Sequence, residues 1–244
     1  MKIVVSGWPG CGGTTLALLL ATVYKLRLVR GSETFRMILK AMNYSETGED
    51  ILKAESIVQP FYGPLYDKFI SDLFKESNEN IIADSDIAGF FIPDQDNLFK
   101  IFLKGNDESR RKHFITDGRE EDIEFQKQRD NDLRESYKKF GADIFDLEEI
   151  NKNYNIVFDN SETLIAGQLF QITTRILPIL TEEQAETIER DYWARGKAAL
   201  IKDLEDSNLL MKGDEILKAI AGKYTAEIEQ FPEDLKVAIQ TLVL

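Results

Sequence analysis

The sequence predicts an α/β fold in which a parallel sheet of five strands is covered by helices on both faces. Short apolar, β-branched runs alternate with helical patterns over roughly the first two thirds of the chain, which is typical of such sheets. The first of these runs leads through a glycine-rich loop into a helix. Beyond Pro178 only helical patterns follow, so we expect a helical extension at the carboxyl end.

The predicted elements follow in chain order. The five strands are expected at residues 2–6, 26–30, 80–84, 98–103 and 155–159. Helices are expected at residues 16–20, 32–42, 44–77, 106–114, 120–140 and 162–177. Ser32 is the predicted N-cap of the second helix. Pro60 and Pro64 are expected to break the third, and Gly118 to end the fourth.

Ligands of parallel sheets bind at the carboxyl ends of the strands. The glycine-rich loop and residues 30–32, 84–86 and 104–105 all follow predicted strands. We therefore expect the functional site at that edge of the sheet.

Residues 181–244 are the predicted extension. The sequence TEEQ at 181–184 fits a capping box, and helices with one apolar face are expected at 181–205, 214–224 and 232–242. A segment of this length buries little core alone. We expect it to pack on the main domain or to form a homodimer contact, with a role in binding another partner as the alternative.

The composition and net charge of the chain exclude several classes of function. The net charge of −13 argues against binding nucleic acid, which needs a basic surface, and against adhesion to anionic membranes. No apolar run approaches the ~20 residues of a membrane span, and no signal-peptide pattern is seen. The single cysteine, Cys11, excludes an internal disulfide and fits a reducing compartment, so we expect a cytoplasmic protein. A few arginines can still form a local pocket for an anionic substrate.

The loop after the first strand predicts a phosphate-binding site. It reads GWPGCGGTT at 7–15 and fills the template G-x-x-x-x-G-K-[ST] with Gly7, Gly12 and Thr14, while Gly13 replaces the lysine. Glycines let the backbone approach an anion, and the N–H groups at a helix start bind it. The residues predicted to bind phosphates are Gly7, Pro9, Gly10, Cys11, Gly12, Gly13, Thr14 and Thr15. The alternative is an ordinary glycine-rich turn.

Five segments stand in a family-like order. They are the loop, GSETFR at 31–36, NIIADSDIAGF at 80–90, LFKIFLKGNDESR at 98–110 and RDNDLRESYKKFGADI at 129–144. In this order they resemble the cytidylate kinases, in the compact archaeal-type branch of the nucleoside monophosphate kinases. The resemblance covers residues 1–178. It implies the three-layer sandwich of the P-loop NTPases over residues 1–180, with a monophosphate-binding segment at about 31–78 and a lid at about 105–135.

The resemblance also implies a reaction and its ligands. The reaction is transfer of a phosphoryl group from ATP to CMP or dCMP with Mg²⁺. Such transfer needs positioning and positive charge more than covalent chemistry. Closing segments would exclude water.

Site residues are carried over position by position. Arg36 matches the arginine that binds the acceptor phosphate, whereas Arg110 and Arg129 match lid arginines that reach the ATP phosphates; these three are the implied catalytic cations. Asp84 would hold Mg²⁺, together with the hydroxyl of Thr14, or meet the base. The implied acceptor-binding residues are Ser32, Arg36, Asp84 and Asp86, and the substitute arginines nearby are Arg111, Arg119 and Arg134. The alternative for Arg36 is a surface residue on a helix, and for the other arginines a solvated residue or an ion-pair partner. For Asp84 the alternative is an N-cap or turn carboxylate.

Several positions depart from the family pattern. Gly13 replaces the loop lysine, although archaeal-type members often lack it too and have threonine there, and Asp86 stands where a base- or phosphate-binding arginine is expected. Lid arginines are also replaced, at His113, Thr116 and Ser136. Three hypotheses follow: an active (d)CMP kinase, a weak or inactive nucleotide-binding protein with a regulatory or assembly role, and a P-loop kinase of another small acceptor that Asp86 binds through a hydroxyl or amino group.

Overall fold

A computed structural model describes residues 1–44, 49–116 and 123–244. The strands are β1 Lys2–Gly7, β2 Arg27–Arg30, β3 Ile81–Asp84, β4 Leu98–Lys104 and β5 Ile156–Asp159. They form one parallel sheet in the order β2-β3-β1-β4-β5. The predicted α/β class and its five strands are confirmed.

The helices in the described residues are α1 Gly13–Tyr24, α2 Gly31–Ala41, α3 Glu49–Glu76, α4 Ala88–Phe91, α5 Asp107–Thr116, α6 Ile123–Lys138, α7 Leu147–Asn153, α8 Ile165–Ile176, α9 Glu182–Arg195, α10 Lys197–Asp206, α11 Gly213–Lys223, α12 Thr225–Ile228 and α13 Glu233–Val243. None of those in the described ranges is long and apolar enough to cross a membrane.

Alternate side chains along each strand pack into two hydrophobic cores, one on each face of the sheet. In β1, Ile3 and Val5 pack with α1 and α8, whereas Val4 packs with α2 and α3 on the other face. This alternation follows from the two-residue period of a strand. Both faces are therefore covered, as in the three-layer sandwich that the sequence implies.

The extension packs on both faces of the sheet. Its first half adds Leu200 and Leu204 to the α1 core, and its second half adds Ile216 and Leu235 to the α3 core. Between the halves, the backbone around Leu210 pairs with the outer edge of β2. Packing on the main domain is thus confirmed, whereas a dimer through these helices stays a prediction.

Two predictions about helix ends were wrong. Ser32 does not cap α2, because the helix begins at Gly31 and its N-cap is Arg30, whose extended backbone continues β2. The prolines do not break α3, which runs from Glu49 to Glu76 through Pro60 and Pro64. A proline inside a helix costs about 3 kcal/mol. The apolar face of α3, with Tyr62 and Phe74 buried, offsets that cost at about 1.5–3 kcal/mol for each large side chain.

The extension differs from its prediction at one residue. The single helix expected at 181–205 is divided at Gly196, whose φ of 78° belongs to the left-handed region. The division makes Lys197 the first residue of α10. The capping box at Thr181 is confirmed, since Thr181 Oγ1 accepts from the N–H of Gln184 and the Gln184 side chain accepts from that of Thr181.

Some predictions lie partly outside the described residues. These are the start of the helix expected at 44–77, the stop at Gly118, the first residues of the helix expected at 120–140, and the centre of the lid expected at 105–135. Three short helices, α4, α7 and α12, were not predicted, because each is too brief to produce a period.

Candidate active site

The loop between β1 and α1 has the close packing that its glycines allow. Gly10 and Gly12 have φ values of 81° and 84°, which favour glycine. At Gly7 a Cβ would lie 2.5 Å from the carbonyl oxygen of Leu103. At Gly13, by contrast, a Cβ would have ordinary clearance, 3.6 Å from Oδ1 of Asp84. Steric crowding therefore does not explain why position 13 lacks the lysine.

A cavity of about 320 Å³ opens beside this loop. Its wall includes most of the predicted phosphate-binding residues, namely Gly7, Pro9, Gly10, Gly12, Gly13, Thr14 and Thr15. The ends of β2 and β3 and the helices α5 and α6 add further wall. The remaining wall comes from α2, the β5–α8 loop, α8, α9 and α10. We call this space the large cavity.

Cys11 belongs to the loop but not to the wall of the large cavity. Its side chain is buried, and burial raises the pKa of the thiol to about 12. A thiol with that pKa is not a nucleophile at neutral pH. Cys11 therefore fills space beneath the loop, where its carbonyl oxygen accepts from Nδ2 of Asn160 at 2.9 Å.

A second cavity of about 160 Å³ adjoins the first. It lies between the carboxyl end of β3 and the helices α2, α3 and α6, and we call it the small cavity. Thr14, Ser32, Asp84, Ser85, Asp86 and Arg129 line both cavities. The geometry is that of two compartments that meet at two carboxylates, Asp84 and Asp86.

The pKa of the buried Asp84 carboxyl group is raised overall, although neighbouring positive charges oppose the rise. Burial raises the pKa of its carboxyl group, while Arg30, a hydrogen bond from the Thr14 hydroxyl, Lys197 and Arg36 lower it. Thr14 and Asp84, the two predicted metal ligands, are thus brought together. A hydroxyl and a carboxylate are the oxygen donors that Mg²⁺ prefers, and Mg²⁺ commonly keeps water and substrate phosphates as its other ligands. The pair fits that ion, although the described part of the chain has no cluster of three or more His, Cys, Asp or Glu able to hold a metal.

Two cations of the large cavity were missed by sequence reasoning. Arg30 is 5 % exposed, lies directly across from Asp84 in the β2–β3 register, and lines the cavity. Its position at the end of a strand was a usable signal. Lys197 also lines the cavity, but it comes from the extension, where the family motifs give no guidance.

The predicted arginines have different positions. Arg36 is exposed and lines the large cavity, and its charge acts on Asp84. Arg129 lines both cavities, with its guanidinium carbon 5.8 Å from the centre of the Phe114 ring. Both are within the site that the sequence predicted.

Arg110 lines neither cavity. Its side chain is 2 % exposed. Nε donates to the carbonyl oxygen of Pro9 at 2.7 Å, and the two terminal nitrogens donate to Asp130 at 2.7 and 2.5 Å. In this conformation Arg110 supports the phosphate loop instead of facing a phosphate, because Asp130 and Pro9 use its donors.

The substitute arginines and His113 lie in different parts of the structure. Arg134 forms a bidentate pair with Asp143, and Arg111 is exposed on α5. Arg119 lies outside the described residues. His113 lines the large cavity, and its Nδ1 is 2.7 Å from the carbonyl oxygen of Gly10.

The small cavity contains a carboxyl group that the sequence did not single out. Asp67 is 2 % exposed and accepts from the Ser85 hydroxyl at 2.5 Å. Burial raises its pKa to about 8, and the negative charge of Asp86 adds to the rise. Asp67 is thus a neutral acid at pH 7, able to donate a hydrogen bond. Only its position within an apolar helix face could have drawn attention to it.

The fold, with a glycine-rich loop between its first strand and first helix, is that of the P-loop NTPase kinases. Comparison with known proteins identifies the branch. The chain is 30 % identical to the cytidylate kinase of Methanosarcina barkeri over 171 residues, 66 % of this chain and 88 % of that one. It is 32 % identical to that of Methanosarcina mazei over 174 residues, with the same shares. The cytidylate kinase of Methanocorpusculum labreanum is 28 % identical over 191 residues, 75 % of this chain and 100 % of the relative.

No protein-family model matches the chain. The relatives are nevertheless sufficient to assign it: this chain belongs to the cytidylate kinase family. Membership supports a nucleoside monophosphate kinase, and the resemblance seen in the sequence is confirmed.

Proposed function

We propose that this protein transfers the γ-phosphoryl group of ATP to CMP or dCMP with the help of Mg²⁺. The observation that carries the proposal is the pair of adjoining cavities that share Asp84 and Thr14. A phosphotransferase of two nucleotides needs two compartments whose contents meet in line. The cytidylate kinase names of the relatives support CMP as the acceptor.

ATP occupies the large cavity in this proposal. The loop N–H groups at the start of α1 bind its phosphates, as helix N-termini bind anions. Thr14 and Asp84 would hold Mg²⁺, which when bound neutralises charge on the transferred group. Arg30, Arg36 and Arg129 supply further positive charge where the two cavities meet.

The acceptor occupies the small cavity. Arg129 lines both cavities, and Arg36 lines the large cavity near the shared Asp84. Both bind the acceptor phosphate in this proposal, because a guanidinium matches phosphate oxygens in pairs. The carboxylate of Asp86 accepts from the exocyclic amine of cytosine, and neutral Asp67 donates to a ring acceptor. In the proposed domain arrangement, residues 1–180 form the kinase domain, 31–78 the acceptor-binding segment and 105–135 the lid.

One observation favours another acceptor on the same fold. The small cavity is lined by three acidic side chains, Asp67, Asp84 and Asp86, against Arg129 as its basic residue. Such a wall also suits a small molecule with hydroxyl or amino groups. The inactive alternative, a nucleotide-binding protein with a regulatory role, is favoured by the glycine at position 13.

An assay of ADP release with ATP and Mg²⁺ separates these functions. The acceptors to compare are CMP, dCMP, UMP, AMP and a panel of amino and polyhydroxy compounds. Turnover that depends on CMP or dCMP supports the proposal. Turnover with a compound other than a nucleotide moves the function to the second candidate, and ATP binding without any acceptor-dependent turnover leaves the inactive alternative.

A further inference from the structure

We propose that the carboxyl-terminal extension completes the ATP site, and that Lys197 supplies the phosphate-binding ammonium group that the loop lacks at Gly13. The inference rests on the proposed function, because it assigns a residue to the same ATP site. It makes the extension part of the binding machinery as well as a structural support.

Gly13 and Lys197 both lie near the same carboxylate, Asp84. A Cβ at Gly13 would lie 3.6 Å from Oδ1 of Asp84. Lys197 lines the large cavity together with Asp84, close enough for its charge to act on that carboxyl group. Both residues line the large cavity together with Thr14. A lysine at either position therefore has its side chain at the wall of the same cavity as Asp84.

The position of Lys197 is fixed by the fold. Gly196, with its left-handed φ of 78°, turns the chain between α9 and α10 and makes Lys197 the first residue of α10. On the α9 side, the Tyr192 hydroxyl is 3.3 Å from Oγ1 of Thr15, in the first turn of α1. On the α10 side, Leu200 and Leu204 are buried in the core that α1 shares. The corner is thus packed against the helix that carries the phosphate loop.

The extension also supplies wall for the rest of a nucleotide. Trp193 of α9 and Leu164 at the start of α8 line the large cavity, although their side chains are 59 % and 74 % exposed. Exposed apolar side chains at a cavity suit the flat face of a base. Lys197 and Trp193 would then contact opposite ends of one ATP molecule.

The relatives are consistent with an addition to the family domain. The Methanocorpusculum labreanum enzyme is covered completely by 75 % of this chain, so about a quarter of this chain has no counterpart there. That share matches the size of residues 181–244. In this proposal the added segment brings a cation to a loop that has none at position 13.

The test is a titration of the full-length protein with ATP, ADP and AMP in the presence of Mg²⁺. The chain has two tryptophans, Trp8 and Trp193, and both line the large cavity, so intrinsic fluorescence reports binding directly. The variant is Lys197→Met. The matched control is Lys202→Met, because Lys202 lies on the same helix with an exposed side chain and lines no described cavity.

An ammonium group that binds the terminal phosphates matters more as phosphates are added. We expect Lys197→Met to raise the Kd for ATP about tenfold or more, with a smaller rise for ADP and less than about twofold for AMP. Lys202→Met should leave all three unchanged. If Lys197→Met lowers the melting temperature, Lys197→Arg replaces it: retention of the ATP preference then supports the inference.

A second variant moves the lysine back into the loop. Position 13 has space for a Cβ and no left-handed φ, so Gly13→Lys can be added to Lys197→Met. We expect the double variant to recover ATP affinity to within about threefold of the original protein. Recovery would assign both positions to one phosphate group.

The outcomes separate this inference from the proposed function. If the unaltered protein binds ATP and Lys197→Met behaves like Lys202→Met, the inference is overturned and the proposed function survives. Equal losses for ATP and AMP would show that Lys197 only holds the corner, which also overturns it. If the unaltered protein binds no ATP at millimolar concentration, both fail.

Discussion

Asp67 is a carboxyl group whose protonation is coupled to folding. Its pKa is about 8 in the folded protein, compared with about 3.9 in an unfolded chain. Between these values the unfolded chain binds fewer protons, so the free energy of unfolding falls as pH rises from about 4 to about 8. This contribution is fully present below about pH 4 and is lost as pH passes 8.

The first prediction follows from that sign. Asp67→Asn cannot ionise, so relative to the original protein it should gain stability as pH rises, by at least about 1 kcal/mol between pH 5 and pH 8.5. Urea unfolding at the two pH values measures the difference. Asp206→Asn, at an exposed position on α10, is the control. Unfolding curves of Asp67→Asn that shift with pH in parallel with those of the original protein would contradict the prediction.

Arg36 is exposed, and its charge reaches the site from α2. If it binds the acceptor phosphate, Arg36→Ala should reduce acceptor-dependent turnover at least about tenfold, because a charge-assisted pair is lost. Its thermal stability should hardly change. Lys40→Ala, on an exposed position of the same helix, is the control. An unchanged rate in Arg36→Ala would remove the residue from the site.

Arg110 offers a contrast, because its guanidinium is enclosed by Pro9 and Asp130. Removing one partner of a buried ion pair costs about 3–5 kcal/mol. We therefore expect Arg110→Met to lower the free energy of unfolding by about 3 kcal/mol and to weaken ATP binding through the loop. Normal stability combined with a collapse of kcat would instead return Arg110 to the role that the family resemblance implies.

Among the elements, those set by local pattern were predictable. The strands were found within two residues of their ends, because apolar β-branched runs bounded by turns leave little choice. The phosphate loop was found because Gly7 and Gly12 mark backbone positions that only glycine tolerates well. The same local reading failed for α3, since the packing that overrides Pro60 and Pro64 comes from distant segments.

Only the residues of the site that lie in recognisable sequence motifs could be predicted. Loop residues, Arg36 and Asp84 follow from chain position after a strand or in a family segment. The positions of Arg30 and Asp67 in the site depend on the strand register and on which face of a helix is buried. Local sequence patterns indicate both only weakly. Lys197 depends on how a separate segment packs, so no feature near the loop in the sequence could have indicated it.

For the whole molecule, the extension is expected to be indispensable to folding. Ile216, Leu217, Ile220 and Leu235 are fully buried in the α3 core, and each contributes about 1.5–3 kcal/mol. Their sum is comparable with the total stability of a domain, about 5–15 kcal/mol. Removing them also uncovers the outer edge of β2, which now pairs with Leu210. A protein of residues 1–180 should therefore lack a cooperative melt.

Two truncated proteins distinguish the structural role of the extension from its role in ATP binding. Residues 1–211 retain Lys197 and the α1 side of the extension but lose α11 to α13, whereas residues 1–180 lose both. We expect neither form to melt cooperatively without ligand, and only the longer form to recover a cooperative melt with ATP and Mg²⁺, because ligand binding to the folded state adds RT ln(1 + [L]/Kd). Thermal unfolding followed by circular dichroism, with and without ATP, measures both effects. A cooperative melt of residues 1–180 at the temperature of the full chain would contradict the supporting role. ATP stabilisation of that fragment equal to that of the full chain would also show that the loop binds phosphate without Lys197.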